Sequence, residues 1–129
     1  MTYRYTDVIE IFDVKKKTCK TIKGPEGFDV EFDVRNFPGY YFMGKNEKTR
    51  KAFVSGTVSD NYIYILYSGC LRDEENWSYG QSIYIYDWEG NPVKKIILDR
   101  SVYTIGVSED DSRLYSYDLQ TGFLIYANI

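Results

Sequence analysis

The sequence predicts an all-β chain of antiparallel strands on three observations: its tyrosine content, a period-two alternation of apolar residues, and a four-strand pattern that recurs. Aromatic residues make up 18% of the 129, with 14 Tyr, 7 Phe and 2 Trp. Side chains of this kind, like β-branched ones, fit a pleated and half-buried surface. Tyr62, Tyr64, Tyr84 and Tyr86 alternate with Ile63, Ile65, Ile83 and Ile85, so both faces of these strands are apolar and both need cover. No segment carries a helical period longer than about two turns. The ten Gly and three Pro fall mostly between the apolar runs, where turns are expected.

In chain order, Val8 to Asp13, "VIEIFD", reads as a strand, followed by the polar turn "VKKK" and a second strand, "TCKTIKG". The two form a hairpin. Residues 25–51 then exceed an ordinary connection. Within them Phe28, Val30, Phe32 and Val34 alternate with Asp29, Glu31, Asp33 and Arg35, which predicts one extra half-buried strand. Pro38-Gly39 turns the chain into "YYFM". From residue 52 four strands follow in succession: "AFVSGTVS", "NYIYILYSG", "SIYIYDWEG" and "NPVKKIIL". Asp60-Asn61 makes the first of their turns, and the polar loop "CLRDEENWSYGQ" makes the second connection. In "DWEGNP" Asp87 caps the turn through its side chain and Gly90 takes the positive φ. "VYTIGVS", "RLYSYD" and "FLIYANI" complete the chain, joined by the turns "EDDS" and "LQTG". Every connection is short except two, and such a chain describes an antiparallel meander.

The chain also resembles itself. "TVSDNYIYILYSG" aligns with "GVSEDDSRLYSYD", which places Val58 on Val107, 49 positions later. "IEIFD" aligns with "IYIYD", which places Asp13 on Asp87, 74 positions later; the 25-residue excess matches the long connector. Four strands recurring every 40 to 50 residues is the pattern of a propeller blade. The chain thus reads as a single domain, 1–129, holding a partial β-propeller of antiparallel four-stranded blades, two to three per chain. Residues 1–24 are the outer hairpin of a first blade, 25–51 the connector, 52–99 a complete blade, and 100–129 a last blade lacking its outer strand. A closed ring needs about four blades at least, so nine blade strands cannot close one.

The segments "NYIYILYSG", "SIYIYDWEGNPVKKIILD" and "VSEDDSRLY" resemble the C-terminal blades of TolB-like six-bladed β-propellers, most closely over residues 50–129. The resemblance implies a bacterial protein with blade architecture and no catalytic motif. It also implies that the outermost strand of the last blade comes from the opposite end of the chain. That half is absent here, so the edge after "FLIYANI" is expected to be open. An open apolar edge templates pairing with another chain, which predicts a homodimer formed through it.

Composition narrows the chemistry. Lys plus Arg is 16 and Asp plus Glu is 19, a net charge of -3. This balance lacks the basic field that nucleic acid or an anionic membrane asks for. With no histidine, Ser-His-Asp and Cys-His systems and His-ligated zinc are excluded. No cofactor and no metal site are expected. Cys19 and Cys70 stand 51 positions apart with no CxxC pair and read as small buried hydrophobes, a single disulfide in an oxidising compartment being the alternative. "MTYRYTDVIEIFDV" has neither a signal peptide's charge pattern nor its apolar run, and no stretch is apolar enough to span a membrane. The expectation is a cytoplasmic chain as written, or an exported or cell-envelope one if it is a piece of a longer family member.

The loop "CLRDEENWSYGQ" is the candidate ligand site, with Arg72, Asp73, Glu74, Trp77 and Tyr79 as binding residues. Trp77 and Tyr79 offer stacking faces for a sugar ring or a peptide side chain, and the carboxylates offer acceptors. The alternative is a solvated loop whose aromatics cover the blade edge. Asp73, Glu74, Asp99, Glu109, Asp110 and Asp111 raise the question of a glycosidase pair, but turns favour Asp in any case. "SEDDS" reads as a solvated turn, and Lys15, Lys16, Lys17, Lys20 and Lys23 as charges that guard an exposed hairpin, in preference to a phosphate-contacting patch. The function expected is a non-enzymatic binding or interaction scaffold that self-associates, with a carbohydrate or protein ligand. The alternatives are a hydrolytic, carbohydrate-active propeller and a remnant without activity.

Overall fold

The computed structural model describes residues 1–129 and contains eleven strands and no helix. In order they are β1 (Val8–Asp13), β2 (Thr18–Lys23), β3 (Asp33–Phe37), β4 (Tyr40–Gly44), β5 (Phe53–Val58), β6 (Tyr62–Tyr67), β7 (Gly80–Asp87), β8 (Pro92–Val102), β9 (Gly106–Val107), β10 (Arg113–Tyr117) and β11 (Leu124–Asn128). Every pairing is antiparallel and joins strands consecutive in sequence, with breaks between β2 and β3, β4 and β5, and β8 and β9. Four sheets result: β1-β2, β3-β4, β5-β6-β7-β8 and β9-β10-β11. This is the all-β, partial-propeller architecture expected from the sequence.

The four-stranded sheet is the centre of the packing, and its two apolar parities serve two different neighbours. Tyr64 and Leu66 of β6 and Ile83 and Ile85 of β7 form one buried cluster with Val102, Ile105 and Leu114, the last from β10. Ile65, Tyr67 and Tyr86 point the other way, into a cluster with Phe53, Ala52 and Ile9 of β1. Register explains the sorting. Ile65 lies opposite Tyr84 and Leu66 opposite Ile83, and side chains opposite each other in an antiparallel pair share a face. The β1-β2 hairpin covers one face and the β9–β11 sheet the other, so three sheets stack like leaves of a book.

The outer two sheets are covered on one side only. In β10 and β11, Leu114 is buried and Ile125 partly so, while Tyr117, Leu124 and Tyr126 on the opposite face are exposed. The strand order also leaves two kinds of edge. β8 is the outer strand of the complete sheet, and it carries Pro92, Lys94 and Lys95 exposed, devices that discourage further pairing. β11 bears no such charges. The Asp118 N–H donates to the Phe123 carbonyl and the Ile129 N–H to the Ser112 carbonyl, both at the ends of the β10-β11 ladder. Antiparallel bonding alternates residue by residue, so the odd-numbered residues of β11 face β10. Leu124, Tyr126 and Asn128 therefore turn their N–H and C=O outward, along an unpaired edge.

Four sequence expectations are corrected. The connector holds no strand over residues 28–32; it carries the separate hairpin β3-β4 instead, and every residue of that hairpin except Gly44 is exposed rather than half-buried. Pro38-Gly39 does make its turn, with Gly39 at φ 96. The final apolar run after "KKIIL" splits, because β8 continues to Val102 and only Gly106–Val107 forms the next strand. Cys19 is exposed on β2, where the period-two pattern turns it to solvent; Cys70 is partly buried, and both are free thiols. The "SEDDS" turn is not simply solvated. Asp111, at φ 57, accepts hydrogen bonds from Tyr64 Oη at 2.8 Å and Asn61 Nδ2 at 2.9 Å. It ties the last sheet to the central one.

Candidate functional site

The loop between β6 and β7 is held by an extension of the β5-β6 ladder beyond the strands themselves. The Lys51 N–H donates to the Cys70 carbonyl at 3.0 Å, the Gly69 N–H to the Lys51 carbonyl at 2.9 Å, and the Arg72 N–H to the Thr49 carbonyl at 3.0 Å. The Ala52 N–H donates to the Arg4 carbonyl at 2.8 Å, which fixes the segment around Arg4 and Tyr5 to the same place. Three stretches distant in sequence thus meet at one end of the central sheet.

The residues singled out from the sequence do not converge on one point. Arg72 donates from Nη1 to the Lys45 carbonyl at 2.6 Å. Glu74 accepts from the Leu71 N–H at 2.7 Å, a capping bond that shapes the loop. Asp73 is exposed. Trp77 stacks on Tyr5, with ring centroids 5.9 Å apart and 18° between planes. Tyr79 lies elsewhere, on a cleft of about 490 Å³ with Asn76, Asp99, Arg100, Tyr117 and Asp118. There Arg100 is paired with Asp99 at 3.3 Å and Asp118 at 3.4 Å, so two carboxylates share one guanidinium and the cluster stays negative.

Around Trp77 the sequence reading missed the charges. Lys45 Nζ stands 5.3 Å from the Tyr5 ring and 5.8 Å from the Trp77 ring, and Lys51 Nζ stands 5.7 Å from Trp77. Lys51 is 7% exposed. Burial lowers its pKa, and the positive charges of Arg4 and Lys45 lower it further. Burial alone would raise the Tyr5 phenol, but the cations of Lys45 and Arg4 outweigh it and bring the pKa below 10.0. Nothing in the local sequence foretells this cluster, since Arg4, Lys45 and Lys51 are scattered and become neighbours only through the ladder.

A second polar feature lies under the first hairpin. Asp7 is 1% exposed; its Oδ2 accepts from the Glu26 and Gly27 N–H groups at 2.6 Å each, and its backbone carbonyl accepts from Gly24 at 2.9 Å. A Cβ on Gly24 would collide with that carboxylate, so only glycine fits. Asp7 therefore anchors the start of the connector. Burial, and then the negative charge of Asp7, push the phenols of Tyr67 and Tyr86 up, the latter to about 12.

No helix is long and apolar enough to cross a membrane, and no three His, Cys, Asp or Glu side chains group as a metal site. No curated protein and no solved structure matches the chain. A family model, TolB-like 6-blade propeller-like, matches residues 1–110. The match takes in the first hairpin and the connector, beyond the region where the residues themselves carry the resemblance, and ends before β10. Together with the stacked antiparallel sheets, it establishes that the chain belongs to the TolB-like six-bladed propeller family.

Proposed function

We propose that this chain is a non-catalytic interaction scaffold that self-associates, a strand of a second copy completing its last sheet. The observation that carries the reading is the unpaired edge of β11. Beside it runs a groove of about 450 Å³ lined by Ile96, Leu98, Leu114, Ile125 and Ile129, apolar residues of β8, β10 and the chain's end. In the central sheet the outer position of the same kind is filled by β8, so a fourth strand here would meet both a hydrogen-bonding edge and an apolar floor. The uncovered face bearing Tyr117, Leu124 and Tyr126 adds apolar area for the same contact.

A hydrolytic role is supported less well. It asks for a carboxyl held above its ordinary range to act as acid. Asp13, Asp87, Asp110, Asp111 and Asp118 are all displaced downward. Asp110 goes to about 2, held by the hydroxyls of Ser108 and Ser112 and by the Ser112 N–H.

Sedimentation velocity of the purified chain and of Leu124→Pro tests the scaffold reading. Leu124 is exposed and its N–H points away from β10, so proline removes an edge donor without breaking a ladder bond. The wild type is expected to associate with rising concentration and Leu124→Pro to remain at 15.2 kDa. A wild type that stays monomeric throughout would overturn the reading.

A further inference from the structure

The end of the central sheet carries more positive charge than the fold needs. Lys51 is buried, its backbone N–H and C=O are both spent on the ladder to Gly69 and Cys70, and its ammonium has no hydrogen-bond acceptor and no ion-pair partner. The stem of Lys51 is buried while its Nζ reaches the surface with no counter-charge, and Lys45 and Arg4 repel it. No acidic side chain of the surrounding segments pairs with these cations: Glu47, Asp73 and Glu75 are exposed, and the others are engaged elsewhere. Glu74 accepts from the Leu71 N–H, Asp7 from Glu26 and Gly27, and Glu26 pairs with Arg50 at 2.7 Å. The aromatic rings supply part of what is lacking, since both lysines sit near the Trp77 face, but an indole quadrupole does not neutralise three cations.

We infer that Arg4, Lys45 and Lys51, walled by Tyr5 and Trp77, form a binding site for a phosphate group, free or esterified. The chemistry selects a doubly charged tetrahedral oxyanion over a monocarboxylate. Three positive charges converge, and the donors come from separate backbone segments that are already tied together, so little ordering is needed on binding. Lys51 sets the floor of the site; Lys45 and Arg4, exposed, flank its mouth. None of these residues belongs to β11, so the site does not rest on self-association.

The test uses Trp77 as its own reporter. In a Trp88→Phe background, where Trp77 is the remaining indole, inorganic phosphate is titrated at constant ionic strength against sodium chloride and sodium acetate, with isothermal calorimetry in parallel. Trp88 lies away from the site, its Nε1 donating to the Asp60 carbonyl at 3.0 Å. A saturable fluorescence change and binding heat with phosphate, absent with chloride and acetate, are expected. Lys51→Met, which keeps the side-chain volume and removes the charge, is expected to weaken phosphate at least about tenfold. Arg4→Gln and Lys45→Gln should each weaken it in the same sense, and these exposed substitutions decide the matter if Lys51→Met does not fold. Phosphoserine is run alongside: tighter binding than inorganic phosphate identifies an esterified ligand, and equal or weaker binding the free ion. Equal responses to phosphate and chloride, or undiminished binding in all three folded variants, would refute the site.

Discussion

Asp111 carries more of the assembly than its place in an acidic turn suggests. It sits at positive φ, where an L-residue is strained, and its two carboxylate oxygens receive Tyr64 and Asn61 from the neighbouring sheet. Burial works against its charge, but the hydrogen bonds from Ser59, Asn61 and Tyr64 prevail and hold its pKa low. Asp111→Ala removes the acceptors and keeps the strain, and should cost about 2 kcal/mol by urea denaturation. Asp111→Gly relieves the strain alone and should recover about 1 kcal/mol of that loss. Equal stability of the two variants would show that backbone strain plays no part. The sequence offered the turn but not the contact, since a run of Glu and Asp between strands is what any solvated turn looks like. The same holds for Asp7, whose buried role depends on a glycine 17 positions away that nothing local identifies.

Among the elements, β6 and β7 were legible because both of their parities are apolar, a pattern only a doubly covered strand can satisfy. Leu66, 0% exposed between β6, β7 and the last sheet, should cost about 2–5 kcal/mol as Leu66→Ala in the same denaturation assay. The connector was misread for a physical reason. Alternation at residues 28–34 identifies a stretch that could lie on a sheet, but a strand exists only where a partner strand lies alongside. The turn at Pro38-Gly39 places Phe37 opposite Tyr40 and Arg35 opposite Phe42, so pairing starts at Asp33. Phe28 instead packs against the Ile9–Phe53 cluster, with the Arg50 guanidinium 5.3 Å from its ring. The resulting β3-β4 ribbon is held by its own rings, Phe37, Tyr40 and Phe42, and a two-stranded ribbon is marginal in water. Its amides should exchange with deuterium far faster than those of β6 and β7. Comparable protection in both would mean that the ribbon is covered by something else.

At the scale of the whole molecule, the stacked sheets bury tyrosine hydroxyls, and this fixes how stability responds to alkali. Tyr64, Tyr67 and Tyr86 all have raised pKa values, from burial first and then from Asp111 or Asp7. A raised pKa contributes stability that is complete below the unfolded value of about 10 and is lost as pH climbs toward the folded one. Lys51 opposes this, because its lowered pKa makes its penalty largest at neutral pH and smaller as pH rises toward 10.5. Tyr5, whose phenol is lowered by Lys45 and Arg4, opposes it too, but the larger shifts of the three buried phenols prevail and give a Tm that falls above about pH 10. A Tm that rose between about pH 9 and 11 would contradict the assignment of these tyrosines as buried acids.

The blade pattern was readable from the recurrence of Val58 at Val107, since each unit must present the same strand order to stack. The charge cluster was not, because it is a product of stacking rather than of any one unit. What remains is whether the last unit is finished by a second copy. Residue-resolved hydrogen exchange of β11 in concentrated wild-type protein answers this directly. Protection is expected at the amides of Leu124, Tyr126 and Asn128 as well as at Ile125 and Ala127, and should vanish from the first three on dilution. Fast exchange at those three at every concentration, with Ile125 and Ala127 protected, would mean that no second strand lies along this edge.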